Sequence, residues 1–206
     1  MAVKVTRVET KPYPGQKPGT SGLRKRVPEF QQQHYTENFV QCILEGGLGS
    51  SVRGSTLVVG GDGRFLSRET VNVIIQIAAA NGVARLIVGQ DGFLSTPAVS
   101  ALIRALRTNG GIILTASHNP GGPKGDFGIK FNCDNGGPAP DQVTEAIYQC
   151  TTKITSYPIC ADLTIDFGVV GHSQHDIEGF GNFVVDVVDS VDEYIKLMRS
   201  IFDFDK

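Results

Sequence analysis

Residues 115–130 read TASHNPGGPKGDFGIK, which sets one serine, one histidine and two lysines among four glycines. The apolar run Gly111–Ala116 ahead of Ser117 predicts a buried strand, and the Gly/Pro-rich residues after it predict a long, shaped loop. A serine released from a strand into such a loop is exposed, with backbone N–H groups nearby that can surround an anion. That setting suits phosphate. His118 can add charge or move a proton, and Lys130, on a short predicted strand Phe127–Phe131, has a rigid mount for a cation. Acyl transfer fits poorly, because the G-x-S-x-G elbow is absent.

A second polar cluster, KPGTSGLRKR at Lys17–Arg26, holds Thr20 and Ser21 between glycines and follows them with Arg24, Lys25 and Arg26. Small hydroxyls on a flexible backbone beside an arginine fork make a phosphate or phosphosugar contact. The run GGDGR at Gly60–Arg64 lies at a strand end but fails G-x-G-x-x-G, so it gives no dinucleotide fingerprint. Asp62 and Arg64 are as apt to pair with each other as to touch a substrate. His172 and His175, three apart, could share a helix face and hold a metal, but with no third ligand nearby they read as a solvated pair.

The elements that must position these residues alternate in type. Strands are predicted at Val3–Val8, Thr56–Gly61, Arg85–Gly89 and Gly111–Ala116, with two more at Leu163–Phe167 and Phe183–Val188. Helices are predicted at about Gln31–Leu44, at Ser67–Asn81 with Gly82 as its stop, and from Thr96-Pro97 to Asn109-Gly110. Another covers Asp141–Ile154, and a last one is opened by Ser190 with Glu193 as a capping box. Lys11–Pro28 and Gly46–Ser55 read as loops. Near-continuous apolar strands separated by helices predict an α/β fold: a three-layer α/β/α sandwich around a mainly parallel, mixed sheet. Ligands of such sheets bind at the carboxyl ends of the strands, where Ser117 sits.

Composition narrows the partners. Nineteen basic and 21 acidic side chains leave a formal charge of −2, so no global field draws the chain to nucleic acid or anionic lipid, and a small molecule is the expected partner. Cys42, Cys133, Cys150 and Cys160 form no C-x-x-C pair and read as reduced, packed thiols. No stretch has signal-peptide character or the ~18–20 apolar residues of a bilayer span. A cytoplasmic protein without membrane contact is expected.

The serine loop resembles, in TASHNPGGPKGDFGIKFN, the phosphoserine loop of the α-D-phosphohexomutase superfamily. Followed by NGGPAP, it is similar to the eukaryotic-type phosphoglucomutases. KPGTSGLRKR, TLVVGGDGRF, AAANG, GFLSTPAVS and VVDSVDEYIKLMRSIFDF match in the same order, so the similarity spans essentially the whole chain. The resemblance implies that residues 1–190 are domain I of the phosphohexomutase fold, and that residues 191–206 are a helix leading into a second domain that this chain lacks. It implies that Ser117 carries a phosphoryl group and donates it to a hexose monophosphate. Glucose 1-phosphate and glucose 6-phosphate are then interconverted through glucose 1,6-bisphosphate, which also serves as the activating intermediate. A Mg2+ ion would bind Ser117 through its phosphate, in the role that phosphoryl transfer gives a metal. Thr20, Ser21, Arg24, Asn119 and Lys130 would bind substrate, and Ser117, His118, Lys130 and Arg24 would be catalytic. Which of Arg24, His118 and Lys130 moves the hydroxyl proton stays open at this stage.

Family members are considerably longer, with four domains, and the metal loop, the sugar-specificity loop and the phosphate loop of the later domains have no counterpart here. The chain stops with no turn or tail chemistry of a natural finish, so it reads as a fragment that is incomplete for catalysis alone. Two alternatives are a non-catalytic structural paralogue at cell adhesions and a short isoform that only binds phosphosugar. That paralogue departs from the enzymes in the Thr-Ser-Gly stretch and after the loop histidine, where this chain keeps Thr20, Ser21 and Asn119.

Overall fold

The computed structural model describes residues 2–204. In chain order the first half contains β1 (Thr6–Glu9), β2 (Leu23–Arg26), α1 (Val27–Phe30), α2 (Tyr35–Ile43), β3 (Thr56–Gly61), α3 (Ser67–Ala80), β4 (Arg85–Phe93) and α4 (Thr96–Leu106). The second half contains β5 (Gly110–Leu114), β6 (Asp126–Cys133), α5 (Asp141–Thr151), β7 (Ser156–Ile159), β8 (Gly171–Ile177), β9 (Gly181–Val188) and α6 (Asp192–Ile201). A seven-stranded sheet runs in the order β2-β6-β5-β3-β4-β9-β8, while β1 and β7 form a separate antiparallel pair. The central neighbours β5, β3, β4 and β9 are parallel, and the outer pairs β2–β6, β6–β5 and β9–β8 are antiparallel.

Alternation along the central strands sends side chains to both faces, and both are covered. Leu57, Val59, Leu86, Val88, Ile112 and Leu114 enter the larger core, packed by α2, α3 and α5, whereas Val58, Ile87 and Ile113 enter a smaller one under α4. The expected three-layer α/β/α sandwich with a mixed sheet is therefore present. On β6, Phe127, Ile129 and Phe131 join the larger core, so Gly128 and Lys130 face the α4 side. There α4 packs on β3 and β5, and the β6–β2 edge lies beyond it.

Several local expectations are corrected. The helix foreseen at Gln31–Leu44 begins only at Tyr35, after His34 in a left-handed conformation, φ 63°; it continues as a π-helical turn at Leu44–Leu48, and a short α1 lies ahead of it, starting within the stretch read as loop. Arg24 lies on a strand within the stretch read as loop, and the first strand begins at Thr6 rather than Val3. Leu163–Phe167 is not a strand: Leu163, Ile165 and Phe167 are buried, but their backbone joins no ladder. The chain instead contributes β7 and β8, whose residues are largely exposed or half-buried. The N-cap of α4 is Ser95, whose side chain accepts from the Ala98 N–H, and α6 is capped by the Asp189 carboxylate, which accepts from the N–H groups of Val191 and Asp192, rather than by a Ser190–Glu193 box. His172 and His175 lie on β8, where a separation of three puts them on opposite faces. Asp186, opposite His172, accepts from its ring nitrogen and from Arg85. Residues 205 and 206, the end of the expected 191–206 segment, lie outside the described residues.

Candidate active site

The carboxyl end of β5 delivers the chain through Thr115 and Ala116 to Ser117, which is exposed and has φ 57°. Left-handed backbone at a residue with a Cβ costs about 1–2 kcal/mol, so contacts must hold it. The Ser117 N–H donates to Thr115 Oγ1 at 3.0 Å, and that hydroxyl donates to Asp62 Oδ2 at 2.7 Å. Arg64 grips the same carboxylate, with Nε 3.1 Å from Oδ1 and Nη2 3.1 Å from Oδ2. Its remaining reach goes to two carbonyls, Ser117 O at 3.1 Å and Asp126 O at 2.7 Å. Asp62 and Arg64 therefore pair, as their types allowed, yet the pair also frames the serine loop, and no spacing in the sequence signals that part.

The loop closes on itself. Asn119 donates its backbone N–H to Ala116 O and its side-chain amide to Asp126 Oδ2 at 2.8 Å, while Asp126 N–H donates to Pro120 O. The geometry thus gives Asn119 a loop-closing contact. His118, exposed like Ser117, has Nδ1 3.4 Å from Ser117 Oγ.

A second group of side chains comes from the β2–β6 ribbon. Thr20 and Ser21 occupy the exposed tip of a turn in which Gly19 and Gly22 exchange backbone hydrogen bonds. Gly22 has φ 83°, and a Cβ there would lie 2.5 Å from Ile129 O and 2.8 Å from the Lys130 Cα, so only glycine lets the turn lie against Lys130. Arg24 pairs in register with Gly128, and a Cβ on Gly128 would sit 2.3 Å from Thr115 O and 3.1 Å from the Arg24 side chain. Thr115 N–H donates to Gly128 O, which ties the ribbon to the serine loop. Lys130, two residues from Gly128, is the diagonal neighbour of Arg24 on the same face. Burial, and then the Arg24 charge, hold the Lys130 ammonium below its ordinary value. The Arg24 Nε is buried with no hydrogen-bond partner, and among the described residues neither cation has an ion-pair partner.

The structure therefore gathers Arg24, Lys130, Gly128, Thr115 and Ser117 into one contact chain, with Thr20 and Ser21 joined to it through Gly22. Two adjacent cations without ion-pair partners, linked through Gly128 and Thr115 to an exposed hydroxyl, could receive an anion, and the fork of an arginine suits a phosphate. A magnesium site is a poorer fit. Among the described residues no group of three or more His, Cys, Asp or Glu side chains could hold a metal, Asp62 is engaged by Arg64 and Thr115, and Asp126 by Asn119. A hard cation needs about six oxygens, so these residues alone do not supply the set.

Residues 15–158 match the family model for phosphoglucomutase/phosphomannomutase, alpha/beta/alpha domain I. The chain is 59% identical to phosphoglucomutase 1 of Drosophila melanogaster over 206 residues, all of this chain and 36% of that protein. It is 56% identical to human phosphoglucomutase-1 over 204 residues, 98% of this chain and 36% of that one. The probable cytoplasmic phosphoglucomutase 1 of Arabidopsis thaliana is 53% identical over 213 aligned residues, again 36% of its length. The chain thus spans little more than a third of the curated relatives it matches. Among solved structures, the open form of Paramecium pp63/parafusin, a phosphoglucomutase, superposes with a TM-score of 0.94 at 44% identity, covering all of this chain and 38% of that one. A putative phosphomannomutase from Thermus thermophilus shares the fold, at a TM-score of 0.68 and 21% identity, over 96% of this chain and 38% of that one.

Proposed function

Since the chain belongs to the phosphoglucomutase/phosphomannomutase family as its α/β/α domain I, we propose that it carries the phosphoserine of a phosphoglucomutase. Ser117 donates its phosphoryl group to a hydroxyl of glucose 1-phosphate, giving glucose 1,6-bisphosphate, and takes back the other phosphoryl group to leave glucose 6-phosphate. In the first half the serine P–O bond breaks, a sugar P–O bond forms, and the hydroxyl proton leaves to a base. Arg24 cannot be that base, because guanidinium stays charged. Its part is electrostatic: its fork neutralises the transferring group in a fixed geometry. Lys130, its pKa lowered by burial and by Arg24, is the better proton acceptor from the sugar, and His118, beside Ser117 Oγ, serves the serine oxygen. Thr20 and Ser21 bind the sugar phosphate from the turn held against Lys130.

The observation that carries this reading is the pair of cations without ion-pair partners, linked through Gly128 and Thr115 to an exposed, left-handed serine at a strand's carboxyl end. Residues 1–190 form domain I in this reading, and residues 191–206 lead to further domains. Val191, Ile195, Ile201, Phe202 and Phe204 are exposed apolar side chains on or beside α6, which supports a covering partner there. A magnesium ion at the Ser117 phosphate would need further oxygens from those domains, and would there offset charge during transfer. A cytoplasmic location follows the names of the Arabidopsis relatives. Native protein isolated with phosphatases inhibited is expected to carry one phosphoryl group on Ser117 and to exchange it with labelled glucose 1,6-bisphosphate, with S117A abolishing both. A native protein without phosphate or exchange overturns the reading. The 206-residue chain alone should show negligible turnover in a coupled glucose 6-phosphate assay.

A further inference from the structure

Resting on the reading of Ser117 as the phosphoryl carrier, we propose that Arg64 is a positioning residue, a clamp that joins both ends of the serine loop and fixes the left-handed backbone of Ser117. The Arg64 side chain is 9% exposed, and its fork is divided between one carboxylate and two backbone carbonyls. Asp62 takes Nε and Nη2, Ser117 O takes Nη2 as well, and Asp126 O takes Nη1. Those two carbonyls stand near the entrance and at the exit of the loop. Asp62 is itself anchored to β5, because its N–H donates to Leu114 O.

Both backbone polar groups of Ser117 thereby lead to one ion pair. Its carbonyl is held by Arg64 directly, and its N–H by Thr115 Oγ1, which is oriented by Asp62. The loop's own closures, Asn119 N–H to Ala116 O across Ser117, Asp126 N–H to Pro120 O and Gly125 N–H to Gly122 O, touch neither group. Arg64 is neutralised by Asp62, so its role differs from that of Arg24: it aims the nucleophile and does not recruit the anion. A lysine would keep the charge beside Asp62, but a single ammonium cannot span these three acceptors with a planar fork.

The direct test is the backbone of Ser117 in the 15N,13C-labelled 206-residue chain, read by its HN–Hα coupling and its Cα and Cβ shifts. The wild-type chain is expected to show the signature of positive φ at Ser117. R64Q and R64K should both lose it while the amides of β3 and β5 stay in place. If R64Q loses amide dispersion altogether, R64K decides. A positive-φ signature that persists in the folded variant overturns the clamp.

The consequence for transfer is read in the native protein carrying R64K. A misaimed nucleophile lowers kcat about 100-fold and leaves KM for glucose 1-phosphate within about twofold, since the anion contacts are intact. A raised KM with unchanged kcat makes Arg64 a binding group and overturns the positioning role. If the wild-type native protein holds no phosphate on Ser117, the proposed function fails, and the backbone measurement still decides whether Arg64 holds the loop.

Discussion

The serine loop and the β2–β6 ribbon meet at Thr115 and Gly128, yet they fix their side chains by different means. In the loop, a strained residue is held by side chains: Thr115, Asp62, Arg64 and Asn119 all donate or accept at its ends. In the ribbon, a regular ladder holds Arg24 and Lys130, and glycines at 22 and 128 provide the close approach. The difference fits the two tasks. Ser117 lies beyond the carboxyl end of β5, where no ladder fixes its direction, so that direction is set by a local network. Two like charges kept side by side need a frame that cannot relax apart, and a hydrogen-bonded ladder is such a frame.

If the ribbon is the rigid partner, filling its glycine contacts should have the largest effect. G22A places a methyl 2.5 Å from Ile129 O at a residue with φ 83°, which combines steric overlap with left-handed strain. Chemical denaturation of the 206-residue chain should show a loss of about 3 kcal/mol. A loss below about 1 kcal/mol would mean that the turn shifts easily and that the ribbon does not lock Thr20 and Ser21 against Lys130.

The charges on the ribbon give the next effect. Lys130 is held below its ordinary 10.5 in the folded chain, so between the folded and unfolded values the unfolded state binds more protons. Stability contributed by this site therefore rises with pH across that window and is flat below it. Tyr35, pushed up to about 12 by burial and then by Glu29, acts in the opposite direction, so the difference between the wild type and K130M isolates the lysine. K130M should remove the alkaline rise and lower kcat of the native protein about 100-fold. Loss of activity with an unchanged pH difference would assign Lys130 a charge that the fold does not perturb.

How much of this was legible follows from what each residue faces. The apolar runs of β3, β4 and β5 are buried on both faces and read directly as strands, and α3 with Gly82 reads from its periodicity and stop. LRKR hides β2, because an edge strand that gives only Leu23 to the core has a polar sequence. GHSQHDI hides β8 for the same reason, and Leu163, Ile165 and Phe167 mimic a strand because they bury alternately without a ladder. At the site, Ser117, His118, Lys130, Thr20, Ser21 and Arg24 stand out by residue type. The share of Asp62 and Arg64 does not, since Arg64 meets the serine loop across 53 residues of chain, and a tertiary contact of that span leaves no periodicity to read. The late start of α2 after His34 is equally silent, because nothing in QQQH bars a helix by composition.

The smallest expected effect is the sharpest control on the comparison. Gly121 lies within the serine loop but is absent from the glycines with positive φ, and a Cβ built there meets nothing within 4 Å. It is thus a loop glycine with room, unlike Gly22. G121A removes backbone freedom from the unfolded chain without strain in the folded one, which favours folding by about 0.4–1 kcal/mol. Because the clamp acts at Ser117 and Asp126, phosphoryl exchange on Ser117 in the native protein should be unchanged within about twofold. A G121A chain as destabilised as G22A would show that the loop is held as tightly by its backbone as the ribbon is. In that case the division between a side-chain-held loop and a ladder-held ribbon fails, since the loop would owe its shape to glycine packing along its whole length rather than to Arg64 and Asp62 at its ends.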